Sequence, residues 1–367
     1  MRNNVLNIRT VYNVNGQVFN VGSDGTMKRF DPIFRQSYGY ASADNIKHCV
    51  VEKFSELTNT MRPQRYYAKN IKDGEKDKQG EVYTSFDLRN PYIRMFGVWN
   101  PNEKDFKKEK YNKCALTSIV RFSDMLPLHV LLTNFNQTCG VNHGNANDTV
   151  YFVNGDNSFL TIEDLVSKGG KSKEDAEKMF RTTRAANFYN KNATSSGIYY
   201  TDFHIDLNNI KYVNITDVTL SDEEKESYIK DGYDIVEKYG KIFFVVPTEQ
   251  AIADFCYLVD SLFQWDFMSN NSVHGSVKEK LRTTISLNNT HIWQEANMAY
   301  CNEDGKSATM EFSTKNEDET NNIFSFNSKL LKKFYNNPNL EYIANADENA
   351  IEKIREIGVE MLSNIEF

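Results

Sequence analysis

An α+β fold is predicted for this 367-residue chain by three observations. Residues 198–207 alternate strictly. Ile198, Tyr200, Asp202, His204 and Asp206 fall on one face and Tyr199, Thr201, Phe203, Ile205 and Leu207 on the other, which is the period of a strand. Residues 248–267 carry Ala251, Ile252, Phe255, Leu258, Val259, Leu262 and Phe263 at helical spacing. Between such segments lie long polar stretches without a period, which read as insertions. Stripped of them, the order of elements suits a βαββαβ ferredoxin-like core, although periodicity alone reaches no further than α+β.

In chain order, Val5, Leu6, Ile8, Val11, Tyr12, Val14, Val18 and Phe19 predict a strand over 5–20 with a break at Gly16. Residues 21–25 (Val-Gly-Ser-Asp-Gly) form a turn by residue type. Ser42 or Asp44 caps a helix that runs to about residue 58, with Ile46, Cys49, Val50 and Phe54 on its apolar face. Residues 60–113 are polar and lysine-rich, interrupted by Tyr66, Tyr67, Tyr83, Phe86, Tyr92 and Phe96, and read as an insertion with hairpin content. A strand is expected over 114–122, an apolar turn at Met125-Leu126-Pro127-Leu128, and a further strand over 128–133. Residues 134–160 read as loop, and Ser172 with Asp175 opens a helix to about Thr183. Ser221 and Glu224 open an acidic helix over 221–239. A short buried strand at 243–247, the helix from Thr248, a Gly-containing basic segment at 274–282, a strand near 292–300 and a helix over 348–363 complete the chain.

Composition excludes several classes. The chain is 40% hydrophobic and 25% charged with a net charge of −7, so it has no overall basic footprint. Lys and Arg nevertheless outnumber Asp and Glu by 21 to 14 over residues 1–130, and that part could face an anion while the acidic remainder keeps the particle soluble. No apolar run is long enough for a membrane helix, and the first residues form no signal region. Five cysteines (Cys49, Cys114, Cys139, Cys256 and Cys301) are scattered without C-x-x-C spacing. Reduced thiols in the cytoplasm are the expectation.

Motifs for chemistry are incomplete. Lys168-Gly-Gly-Lys-Ser172 lacks the leading Gly of a phosphate loop, where Leu165 stands. Asp73, Glu75 and Asp77 start like a calcium loop, but Lys78 and Thr84 occupy the Gly and closing Glu positions. None of the six histidines has a zinc-spaced partner. His204 and Asp206 share a strand face and would be the place to look for an oriented base in a small-molecule pocket. A non-catalytic protein without cofactor or metal is the expectation.

Residues 11–58 contain Tyr-Asn-Val-Asn-Gly, Asp-Gly-Thr-Met-Lys-Arg and Gln-Ser-Tyr-Gly-Tyr-Ala-Ser-Ala-Asp-Asn-Ile-Lys-His in that order. With Arg121-Phe-Ser-Asp-Met-Leu-Pro-Leu, the strand from Ser196 to Leu207, and the helix at 248–267 followed by Gly275, Lys278 and Arg282, this resembles the Cas-seven (DevR-type) backbone subunit of Cascade-like CRISPR effector complexes. The four patches cover about a third of the chain, and their order carries the resemblance. The resemblance implies an RRM-like core with large insertions, hand-shaped with a thumb hairpin. It divides the chain into a palm core (1–59 with 114–133 and 196–300), a finger or web insertion (60–113), a second insertion (134–195) and a C-terminal segment packing on the core (301–367).

It also implies that copies assemble into a filament along CRISPR RNA beside other Cascade-type subunits and present that RNA to a target nucleic acid. Binding a guide of any sequence needs cations aimed at phosphates. Lys28, Arg29, Arg35, Gln36, Ser42, Lys47 and Lys53 are the candidates on one side, and Arg121, Ser123, Lys278, Lys280 and Arg282 on the other. Met125 and Leu126 would wedge between bases, and insertion aromatics would stack on them. The net negative charge departs from an RNA-filament subunit. Two other readings stand beside this one. The first is a metal-dependent, target-RNA-cleaving subunit using Asp24 or Asp31, and the second an unrelated cytoplasmic α+β protein with a small-molecule pocket.

Overall fold

The computed structural model describes residues 4–17, 19, 21–22, 25–26, 28–68, 81–101, 104–106, 109–138, 152–153, 159–167, 172–181, 192–267, 277–288, 298–312, 317–318 and 322–365. The architecture is α+β, with antiparallel sheets and eight α-helices among these residues. At its centre lies the strand Val5–Gln17, paired antiparallel with Asn192–Asp206 on one side and Val277–Asn288 on the other. Val120–Phe122 pairs beyond the first neighbour and Ile323–Asn327 beyond the second, so the order is 120–122, 192–206, 5–17, 277–288, 323–327. Leu126–Pro127 and Thr133–Thr138 also pair with strand 192–206.

The alternation read from the sequence sorts the two faces. Tyr199, Phe203, Ile205 and Leu207 join Leu6, Ile8, Tyr12 and Val14 in the main core under the helices. Ile198, with Val11 and Leu281, joins a second cluster on the opposite face. Each fully buried aliphatic or aromatic side chain of this kind contributes roughly 1.5–3 kcal/mol. Helices Ala43–Thr58 and Thr248–Gln264 pack against each other, and Ala346–Asn364 packs on the latter. That last contact is close: a Cβ at Gly358 would stand 1.9 Å from the Phe255 ring.

Local chemistry sets the ends of the first helix. Ser42 accepts a hydrogen bond from the Asn45 N–H, and the Asp124 carboxylate accepts one from Ala43. Asn59, left-handed at φ 49°, closes the other end. Ser172 and Ser221 cap their helices as the capping boxes predict.

Several elements differ from the sequence expectation. The acidic helix ends at Lys230, and Asp234–Lys238 turns back as a strand against Lys241–Val245. The break falls at Gly232, whose φ of 88° no helix accepts, and Ile235 and Val236 favour the strand that follows. The expected strand 114–122 is two strands with different partners: Cys114–Leu116 pairs with Val98–Asn100, and Val120–Phe122 with strand 192–206. Val130–Leu132 is a 3-10 turn, after which strand Thr133–Thr138 begins. Within the first insertion, Arg65–Ala68 and Glu81–Thr84 form a hairpin, and a short helix, Pro91–Phe96, carries a pair that sequence reading missed. Arg94, on that helix, donates to the Asp254 carboxylate inside the core and to Arg89 O at 2.7 Å. Gln250 supplies a further bond to Asp254 at 2.7 Å. Burial raises the Asp254 pKa while Arg94 opposes that rise. The pair fastens the insertion to helix 248–264. No helix among the described residues is long and apolar enough to cross a membrane.

Candidate nucleic-acid interface

Lys28–Asp31 and Gln36–Gly39 form an antiparallel hairpin between the central strand and the first helix. Its turn is set by Asp31, whose carboxylate accepts the N–H groups of Ile33 at 2.8 Å and Phe34 at 3.0 Å, and by Arg35 at φ 53°. Lys28, Arg29 and Arg35 are exposed. So are two large apolar side chains, Phe30 (61%) and Ile33 (81%). The hairpin's other contacts anchor it. Gln36 donates its side-chain amide to Thr133 O at 3.1 Å, and Phe34 meets the His129 ring edge-on at 4.9 Å. Burial lowers the His129 pKa against the opposing charge of Asp31.

Asp124 joins this hairpin to the first helix. One carboxylate oxygen pairs with Arg29 at 2.8 Å, and the other accepts the Ala43 N–H at 2.8 Å. Arg29 also lies over the Tyr40 ring, 4.1 Å from its centroid. Ala41 and Met125 exchange backbone hydrogen bonds at 3.3 and 2.9 Å. Ser123 accepts the Asp202 N–H at 2.8 Å and donates to Asp124 O at 3.0 Å. Arg121 is exposed and stands in register with His204. Segments 28–47 and 121–126, far apart in sequence, therefore meet along one edge of strand 192–206.

The other candidates have different settings. Lys47 donates to Phe96 O at 3.0 Å, and burial lowers its pKa. Lys53 pairs with Glu56 along the helix at 3.1 Å. The basic segment near 280 lies inside the fold, on a central strand, which corrects its placement on a phosphate-facing surface. Lys278 is 7% exposed, sits 3.3 Å above the Trp265 ring and donates to Trp265 O at 2.7 Å. Burial pushes its pKa down to about 7 against the attraction of Asp266. Lys280 donates to Phe263 O at 2.7 Å and to Asp347 at 2.9 Å. Arg282, 1% exposed, donates to Asn327 at 2.7 Å, Ser325 at 2.8 Å and Thr284 at 3.2 Å.

Met125 needs the same correction as a wedge: it is fully buried and held by the bridge to Ala41, while Leu126 is half-buried in its pairing with Tyr200. Of the insertion aromatics, Tyr83, Tyr92 and Phe96 are core, and Tyr66 and Phe86 are half-buried. Sequence reading passed over Asp124, although it directly follows Ser123, and over Trp99, which is exposed.

His204 lies against Asn7, and Asp206 accepts the Asn209 side-chain amide at 2.7 Å. Asp24, Gly275, Lys168-Gly-Gly-Lys171 and Asp73 to Asp77 fall outside the described residues. Among the described residues no group of three His, Cys, Asp or Glu side chains is placed to hold a metal ion.

The sequence matches no family model and no curated protein. Solved structures do align with it. A chain of a "CRISPR RNA-guided surveillance complex, pre-nicking" is similar at 8% identity with a TM-score of 0.40, over 77% of this chain and 78% of that one. A chain of a "CRISPR RNA-guided surveillance complex" is similar at 9% identity with a TM-score of 0.37, over 96% of this chain and 84% of that one.

Proposed function

We propose that this protein is a non-catalytic, guide-RNA-binding backbone subunit of a CRISPR interference complex, which oligomerises along the RNA and presents it for target pairing. The observation that carries this reading is the convergence of three of the four family-like patches. The Lys28–Arg35 hairpin, the capped start of the first helix and the Arg121–Met125 segment are locked to one another through Asp124 and the Ala41–Met125 bridge. They sit on the 192–206 strand, the third patch. A surface with Lys28, Arg29, Arg35 and Arg121 exposed suits a phosphate backbone of any sequence.

Strand order supports an RRM-like palm. Taking 5–17, helix 43–58, 120–122, 192–206, helix 248–264 and 277–288 in turn gives strand, helix, two strands, helix, strand. Each crossover skips one antiparallel neighbour, as a ferredoxin-like sheet requires. Phe30 and Ile33, projecting from the hairpin, fit the wedging part better than buried Met125 and half-buried Leu126. Apolar side chains flanked by cations can unstack a base step while the cations hold its phosphates.

Co-expression with a guide RNA tests the proposal. Protected RNA in an extended, multi-copy particle is the expected result, with affinity falling steeply as salt rises. A monomer that retains no RNA in moderate salt overturns it. Magnesium-dependent cuts at regular spacing in a paired target would overturn the non-catalytic part.

A further inference from the structure

The first insertion holds a cavity of about 580 Å³ outside the surface described above. That is within the size range of small-ligand sites, roughly 300–1,000 Å³. Its walls combine an indole, Trp99, with a guanidinium, Arg65, the phenol ring of Tyr92 and the smaller Thr84 and Val98. Trp99 is 68% exposed, although its strand neighbours Val98 and Asn100 are buried. The alternation of that strand thus turns the largest aromatic side chain outward beside a concavity.

The walls are fixed in advance. Asn100 is buried and bonds both backbone groups of Thr84, at 2.8 and 2.9 Å, and Asn112 O at 3.1 Å. Gly97 enters the strand at φ 74°, and a Cβ there would stand 2.4 Å from Leu116 O. Arg65 is exposed, and Lys47, bonded to Phe96 O, is near enough to feel its charge. Lys47 also feels the opposite charge of Asp44, whereas among the described residues no carboxylate lines the cavity beside Arg65.

We infer that this cavity binds a single unstacked nucleobase with its phosphate, the base lying on Trp99 and the phosphate on Arg65. A flat π face beside a guanidinium matches that ligand, since every base has a π face and every nucleotide an anion. A cavity of this size suits one nucleotide rather than a partner's folded surface, which makes a second copy of this chain the less fitting occupant. The site stands on its own chemistry, apart from the guide-binding reading.

The test uses the full-length protein with two probes, a uridine hexanucleotide and AMP. Both are expected to quench tryptophan fluorescence. Trp99→Leu should abolish that quench and weaken hexanucleotide binding roughly tenfold, within the range of one base–aromatic stack. Trp99→Phe should restore most of the affinity. Arg65→Gln should weaken binding while leaving the quench at saturation, and should flatten the salt dependence by about one contact. Thermal unfolding of each variant checks folding, and agreement between the Trp99 and Arg65 variants guards against a fold defect in either.

Equal hexanucleotide affinity in Trp99→Leu and wild type overturns the inference and leaves the guide-binding proposal standing. A quench by AMP that needs Trp99, with no binding of the hexanucleotide or a guide, keeps the site and overturns guide binding. Loss of self-association in Trp99→Leu with nucleotide binding intact shows that protein covers the face, and overturns the inference. No binding of either probe overturns it as well.

Discussion

Two basic segments read alike in the sequence and end in opposite places. Lys28, Arg29 and Arg35 follow a Gly-containing turn, and Lys278, Lys280 and Arg282 follow Gly275. The first set projects on a hairpin from the end of the central strand. The second lies on strand 277–288, where Lys278 and Lys280 pair with strand 5–17 and Arg282 has a paired strand on either side, and each cation finds its partners within the fold. Lys278 does so with an indole and a carbonyl, Lys280 with a carbonyl and Asp347, and Arg282 with Asn327, Ser325 and Thr284. Charge in a sequence thus indicates a phosphate contact only once topology has left it facing outward.

The largest effect that separates the two segments is on stability. Arg282→Ala removes the guanidinium's hydrogen bonds to buried Asn327, Ser325 and Thr284 and opens a cavity. The expected cost is about 3–5 kcal/mol in chemical denaturation. A variant that unfolds like wild type but fails to bind RNA would move Arg282 to the interface and break the comparison.

The hairpin should behave in the opposite way. Replacing Lys28, Arg29 and Arg35 together by Gln should leave the unfolding midpoint nearly unchanged, since all three are exposed and the Arg29–Asp124 pair is partly so. RNA affinity should fall roughly a hundredfold, with a salt slope shallower by about 2, as three lost single-strand contacts would give. Co-purification of guide RNA at wild-type levels would show that the hairpin is not the interface.

Lys278 offers a pH test of its burial. Its proton is held less tightly in the folded chain, at about 7, than at the ordinary lysine value of 10.5. Between these values the unfolded chain carries a proton that the folded chain has released, so stability rises with pH across that window. Against Lys278→Met, which has no proton to lose, wild type should gain roughly 2 kcal/mol between pH 7 and pH 9. Parallel pH profiles for the two proteins would place the amine in water and erase the contrast with the hairpin.

What the sequence made legible was local. Ser42 and Ser221 announce helix starts because a cap needs only the next turn of chain. The alternation over 198–207 sorts two faces because a strand's period acts along its own length. The fates of Met125, Arg282 and Trp99 were not legible, since each depends on a partner far along the chain: Ala41, Asn327 and the wall around Thr84. The turn at Gly232 was nearer to hand, but an acidic helical pattern hid the β-branched pair behind it.

Asp124 gives the smallest effect and the finest test of the exposed region. Its carboxylate competes with any phosphate for Arg29 and also completes the N-terminus of the first helix. Asp124→Asn keeps an oxygen for the Ala43 N–H but gives up the charge, so the loss in stability should stay below about 1 kcal/mol. The ion pair itself is partly exposed and contributes little to folding. Arg29 remains over the Tyr40 ring, still aimed but without its counter-charge. RNA affinity at low salt should therefore rise about two- to fivefold, with a salt slope steeper by less than one contact. A fall in affinity would mean that the carboxylate positions Arg29 for the phosphate, and that the hairpin and the Arg121–Met125 segment bind as a single unit.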